Sequence, residues 1–268
     1  MPNIPLQFQI EEVAAHEIAY DRRRLCLGAA ALVGLAGCGT VGVRPAQRTD
    51  AGTGIVPFSA SRTLGTLPTG WREQVMRRDL PSTRYQVAER DDRTVVHAVA
   101  ERSTSGLRCD VDIDPKAMPW LSWEWRVDEV ALAATVARDE LDDSPARVIV
   151  AFDGDLSGLT PLELIFQEQV ELFTGYTLPF ATLMYVWDGQ AAPESVFQYP
   201  RTGRIRYLVV ESGAGNTGRW KSYRRNVVED YQRAFSGEPG RVRSVGILTD
   251  SDDLKTRSDA WFGDLAFS

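Results

Sequence analysis

The chain has 268 residues, 43% apolar and 25% charged, which is long enough for one large or two small domains with a real core. A formal net charge of −7 argues against a nucleic-acid partner, which asks for a basic face. Two His and three Cys leave little scope for zinc chemistry or a histidine-based triad.

In chain order, the first element is an export signal. Arg22, Arg23 and Arg24 precede an apolar run from Leu25 to Gly37. The run is well short of the roughly 20 residues that a membrane-spanning helix needs. A basic stretch, a short apolar stretch and a small-residue exit describe a secretory signal. Its ending, "LAGC" (Leu35 to Cys38), resembles the lipobox of bacterial lipoproteins, in which the cysteine is acylated and becomes the first mature residue. That resemblance implies a membrane partner through a lipid on Cys38. Gly39 in the next position, where Asp would retain the protein at the inner membrane, implies the outer membrane of the bacterial envelope, facing the periplasm. The leader before Arg22 carries Glu11, Glu12, Glu17 and Asp21, so a start further in and a loose twin-arginine signal both stay open. Removal of residues 1–37 takes Cys26 away, and lipid occupies Cys38. Cys109 is then alone and no intramolecular disulfide is possible. The expected organisation is a signal at 1–37, a lipidated cysteine and tether at 38–54, and a domain at 55–268.

Short strand-like segments dominate that domain. "TRYQVAE", "TVVHAVA" and "LRCDVDI" are rich in β-branched and aromatic residues and are parted by the turns "RDDR" and "STSG". "PWLSWEWRV" alternates, with Leu121, Trp123, Trp125 and Val127 on one face and Ser122, Glu124 and Arg126 on the other. "ARVIVAFD" presents Val148, Val150 and Phe152 together, and "TLMYVWD", "RIRYLVVE", "RVRSVGILTD" and "AWFGDLAF" follow the same style. Two helices interrupt. One opens with Thr160, Pro161 and Glu163 as a capping box, carries the stripe Leu162, Ile165, Phe166, Val170 and Phe173, and stops at Gly175. The second has Asn226 as cap, Glu229 three residues on, and Val227, Tyr231 and Phe235 on one face. The glycine-rich "ESGAGNTG" after "RIRYLVV" reads as a hairpin loop rather than a phosphate cradle, since it lacks the P-loop lysine. The expected fold is mainly β: an antiparallel, jelly-roll-like β-sandwich with two helical decorations.

The mature chain has one histidine, His97, on a strand face with Val95 and Val99, and no nucleophile elbow. Cys109 reads as a buried thiol. Carboxylates, arginines and aromatics remain. Glu124 lies between two tryptophans with Arg126 two residues away, and Asp142 and Asp143 precede "SPARVIVAF". With Trp120, Trp220, Arg224 and Arg225 they make up the candidate binding face. For glycoside hydrolysis, which needs two carboxyls flanking the bond, Glu124 and Asp143 are the candidate catalytic pair.

The W-x-W strand, the acidic pair before "ARVIVAF", the Y-V-W strand, the helix start "RRNVVEDY" and the loop "TDSDD" together resemble an exported bacterial family known as domain of unknown function 3047. The resemblance covers most of residues 70–268 and implies the domain bounds and an exported location, with no activity. The closing strand also resembles, in architecture alone, the last strand of jelly-roll carbohydrate-binding modules, where an Asp often holds a structural Ca²⁺. Asp250, Asp252, Asp253 and Asp264 could supply part of such a site, but no EF-hand spacing is present. A solvated turn capped by Lys255 and Arg257 is the preferred reading, with no cofactor. The functional expectation is a non-catalytic envelope lipoprotein that presents a face to a glycan or a protein partner. The alternative is a carboxylate-dependent enzyme acting on polysaccharide.

Overall fold

The computed structural model describes residues 54–268. The expected signal, Cys38 and the tether up to residue 53 lie outside the described residues. Among the described residues thirteen strands run in chain order: β1 Arg72–Val75, β2 Arg84–Arg90, β3 Arg93–Glu101, β4 Thr104–Ile113, β5 Trp120–Val127, β6 Arg147–Phe152, β7 Ala181–Asp188, β8 Val196–Gln198, β9 Ile205–Ser212, β10 Lys221–Asn226, β11 Val242–Asp250, β12 Arg257–Phe262 and β13 Ala266–Phe267. They form a seven-stranded sheet in the order β1-β4-β11-β6-β7-β9-β8 and a six-stranded sheet built on β10-β5-β12-β3-β2, with β13 also on β5. Pairing is antiparallel except between β7 and β9. The fold is a jelly-roll-like β-sandwich. The late strands β11 and β12 sit inside their sheets, β11 between β4 and β6 and β12 between β5 and β3.

The alternation read in the sequence fixes which side chains meet between the sheets. Leu121, Trp123, Trp125 and Val127 of β5 are all buried, as are Val148, Val150 and Phe152 of β6. Across the interior, Trp123 packs on Tyr185 at 4.8 Å between ring centroids and Trp125 on Trp187 at 6.4 Å, while Tyr223, beside Trp123 on the neighbouring strand, stacks on it at 5.2 Å. Such rings each remove a large apolar area from water. Cys109 is buried, and burial pushes its thiol above the usual range. His97 faces outward, stacked on Trp261 at 3.8 Å, with Nε2 2.7 Å from Asp259.

Helix α1 spans Pro161–Thr174 and helix α2 spans Val227–Phe235. Both caps read from the sequence are present. Thr160 and Glu163 form the reciprocal box, Gly175 ends α1 at φ 75°, and Asn226 accepts from Val228 and Glu229. Helix α2 buries Val227 and Tyr231 as its pattern requires. The stripe on α1 behaves differently. None of its residues is buried, and Leu162, Ile165 and Phe173 are 71%, 52% and 63% exposed. Local periodicity makes the helix, but its stripe is only partly covered: Phe166 and Val170 are half-buried and the other three are exposed. The "ESGAGNTG" loop also departs from expectation. It is not a hairpin, because β10 leaves the sheet of β9 and pairs β5 in the other one.

Candidate functional site

Strand β7 is buried on both faces, so something besides the sandwich interior covers it. Its second face, with that of β6, β9 and β11, forms the floor of a cleft of about 900 Å³. Ile149, Met184, Tyr207, Gly246 and Leu248 lie on this floor, and Phe166, Val170 and Phe173 of α1 overhang it. Helix α1 is tied to the body by Arg204, which donates to Gln167 Oε1 at 2.9 Å, and by the Phe166 ring, 6.2 Å from that of Tyr199. Arg204 also donates to the carbonyls of Leu178 and Phe180, which fixes the return from α1 to β7.

One end of the cleft is acidic. Arg147, at the start of β6, donates through one terminal nitrogen to Asp142 Oδ1 at 3.1 Å and to both oxygens of Asp250 at 3.1 and 2.8 Å. The Tyr207 hydroxyl donates to the other Asp142 oxygen at 2.7 Å. Burial works against charge on Arg147, but Asp142 and Asp250 outweigh it and hold the guanidinium above its ordinary range. Burial raises the carboxyls of Asp142 and Asp250, and Arg147 only partly pulls them back. Asp252 is raised by burial and by Asp143, although Arg77 stands 3.4 Å away. Asp253 is exposed and has no ion-pair partner among the described residues. Its carboxyl is pushed up to about 6 by burial of its surroundings and by Asp252, Asp143, Asp142 and Asp139. The opposite end is aromatic and carries arginines: the Arg108 guanidinium, paired with Asp110 at 2.8 Å, lies 4.3 Å over the Tyr176 ring, and Arg78 is nearby. Two polar atoms on lining residues, Arg147 Nε and Tyr176 Oη, are buried without a hydrogen-bond partner.

Of the eight residues of the candidate binding face, Asp142 alone lines this cleft. Asp143 is buried beneath it, accepting from the backbone N–H groups of Asp253 and Leu254 at 3.0 and 2.7 Å, and so holds the acidic loop in place. Trp120, Glu124, Arg126, Trp220 and Arg224 gather on the outward face of the six-stranded sheet. There Arg224 lies 4.1 Å over Trp120, Arg93 lies 4.2 Å over Trp220 and pairs with Glu124, and Arg126 donates to Asp128 at 2.7 Å. Arg225 is structural, clamping Asp230 at 2.6 and 2.9 Å and Glu194 at 2.8 Å. Glu124 therefore sits on β5 of the six-stranded sheet and Asp143 in the loop that leads into β6 of the other, and neither lines the cleft. The closing acidic stretch is likewise divided. Asp250, Asp252 and Asp253 stand at the cleft, whereas Asp264 accepts from Ser59 N and Oγ at 2.9 and 2.6 Å. One of the two expected caps is also elsewhere: Arg257 pairs with Glu101 and Asp259. Sequence reasoning missed Arg147, Tyr176, Tyr199, Tyr207 and Phe166. The signal for Arg147 was the second face of "RVIVAF", where Arg147, Ile149 and Ala151 alternate with the core residues.

A family model described as "Protein of unknown function (DUF3047)" matches residues 69–266. The chain belongs to this family. No curated protein matches this DUF3047 chain in sequence. Among solved structures it is similar to the family 11 carbohydrate-binding module from Clostridium thermocellum in complex with a β-1,3-1,4-mixed-linked tetrasaccharide, at 7% identity over 80% of this chain and 94% of that one, with a TM-score of 0.39. It is also similar to endoglucanase 3 of Trichoderma harzianum, from family GH12, at 10% identity over 76% and 93% of the two chains, TM-score 0.38. A third is the K3 cleaved adhesin domain of Lys-gingipain from Porphyromonas gingivalis, at 10% identity over 75% and 93%, TM-score 0.32.

Proposed function

We propose that this DUF3047 protein is a binding module for a glycan, held between α1 and the seven-stranded sheet. The observation that carries the reading is the combination, in one cleft of about 900 Å³, of the aromatic rings of Phe166, Tyr176, Tyr199 and Tyr207 with unpartnered polar atoms on Arg147 and Tyr176. A sugar offers C–H faces to flat rings and hydroxyls to such groups. A concave site suits an extended small ligand better than a flat protein surface does. In this reading the sandwich is held at the outer membrane by the lipid expected on Cys38. Cys38→Ser then releases it from the membrane fraction, and a variant that resists high-salt washing overturns that part.

Calorimetric titration with a panel of short oligosaccharides tests the binding site. Wild type binds at least one of them, Phe166→Ala and Tyr199→Ala lose that binding, and Glu124→Gln on the other sheet keeps it. Equal affinity in both cleft variants overturns the reading. A second reading, carboxylate-dependent glycoside hydrolysis, is favoured by Asp253, whose carboxyl sits at about 6 and could hold a proton near neutral pH. It predicts release of reducing ends that Asp253→Asn abolishes; binding without release excludes it.

A further inference from the structure

The two ends of the cleft differ in charge, and this asymmetry says more about the ligand. At one end Asp139, Asp142, Asp252 and Asp253 converge. The Arg147 cation there is already divided between Asp142 and Asp250. Arg77 is shared between Asp79 and Asp252, and Arg201 stands 3.8 Å from Asp139. Asp253 has the carboxylates of Asp252, Asp143, Asp142 and Asp139 around it, with only the longer-range field of Arg77 against them and no ion-pair partner among the described residues. A bound cation is the group that would relieve this crowding, because like charges held together favour any ligand that carries the opposite sign. A second, independent observation narrows the choice. The Arg147 side chain, 5% exposed, keeps its Nε without a hydrogen-bond partner while lining the same end. The site therefore asks for a hydrogen-bond acceptor beside a cationic donor. A simple ammonium ion or a metal ion supplies only the charge. A neutral sugar supplies only the acceptor. An amino sugar places a hydroxyl on the carbon next to its ammonium and supplies both.

We propose that the glycan bound in this cleft carries free amino groups, with a de-N-acetylated amino sugar seated against Asp252 and Asp253 and its hydroxyl toward Arg147. This rests on the glycan reading above, and the probes are chosen to separate the two. The full-length protein is titrated near pH 7 with the β-1,4-linked glucosamine tetramer, its fully N-acetylated counterpart, the neutral glucose tetramer and a lysine tetrapeptide. A hydrogen bond to a charged group predicts that the glucosamine tetramer binds about ten-fold or more tightly than either uncharged sugar. The advantage shrinks at high salt and disappears in D252N/D253N, whose melting temperature checks that the fold is intact. Equal or tighter binding of an uncharged tetramer overturns the amino-sugar proposal and leaves the glycan reading standing. Tight binding of the lysine peptide also overturns it, because charge alone would then suffice. Binding of none of the sugars overturns both.

Discussion

Arg147 meets Asp250 edge-on, one guanidinium nitrogen lying 3.1 and 2.8 Å from its two carboxylate oxygens with both side chains buried. The contact spans two adjacent strands of the seven-stranded sheet and closes the floor of the cleft at its acidic end. Its energetic character is a balance. Two desolvated charges cost much of what their attraction returns, whereas either one alone is severely unfavourable. Arg147→Ala is therefore expected to destabilise the fold by about 3–5 kcal/mol, and adding Asp250→Leu to Arg147→Met recovers only part of that loss, because Asp142 stays without its cation. Denaturant melts of the single and double variants read this directly. Equal losses in both would show that packing, not charge, dominates the site.

The acidic end also makes the protein sensitive to pH in a defined direction. Asp253 sits at about 6 in the fold against an ordinary value of 3.8. Between those values the folded chain binds more protons than the unfolded one, so the contribution is fully present in acid and lost as pH rises through about 6. Asp252, raised by burial, acts in the same sense. Asp253→Asn is expected to flatten the melting-temperature profile between about pH 4 and pH 6. If the variant keeps the wild-type slope there, the crowding is absent. Affinity for an amine should change the opposite way and strengthen as Asp253 ionises.

The interior predicts an effect as large as that of Arg147→Ala. Trp125 is fully buried against Trp123 and Trp187, and Trp125→Ala should cost about 3–5 kcal/mol, a large part of a typical domain's stability of about 5–15 kcal/mol. An unchanged midpoint in chemical denaturation would contradict the packing.

Helix α1 predicts a separation of stability from binding. Leu172 is 73% exposed and packs on nothing in the core, so Leu172→Gln should shift stability by no more than about 0.5 kcal/mol. Phe166→Ala, which loses the contact with Tyr199, should cost about 1 kcal/mol and weaken ligand binding, since Phe166 lines the cleft. A destabilisation of several kcal/mol by Phe166→Ala would mean that α1 is part of the core.

Much of the sandwich was legible because its signals are local. The alternation in "WLSWEWRV" fixes the faces of β5 over a few residues, and the Thr160–Glu163 and Asn226–Glu229 caps need only one helical turn. The cleft was not legible, because its parts meet through strand pairing. Asp250 comes to Arg147 across 103 positions, and Tyr207 comes to Asp142 across 65. Glu124 drew attention as a carboxylate between two tryptophans, yet alternation turns it away from both of them, toward Arg93. The available clue was β7, apolar on both faces, which implies a second covered surface behind the sheet.

The placement of β11 and β12 sets when this domain can be assembled. Until β11 emerges, β4 and β6 have no partner in common; until β12 emerges, the same is true of β3 and β5. The Ser59–Asp264 contact, across 205 positions, likewise waits for nearly the last residues. A nascent chain can form the β2–β3 hairpin but can complete neither sheet. Folding is thereby deferred until the whole domain has been released, and a truncation that removes Arg257 onward leaves β3 and β5 as open edges, prone to aggregate.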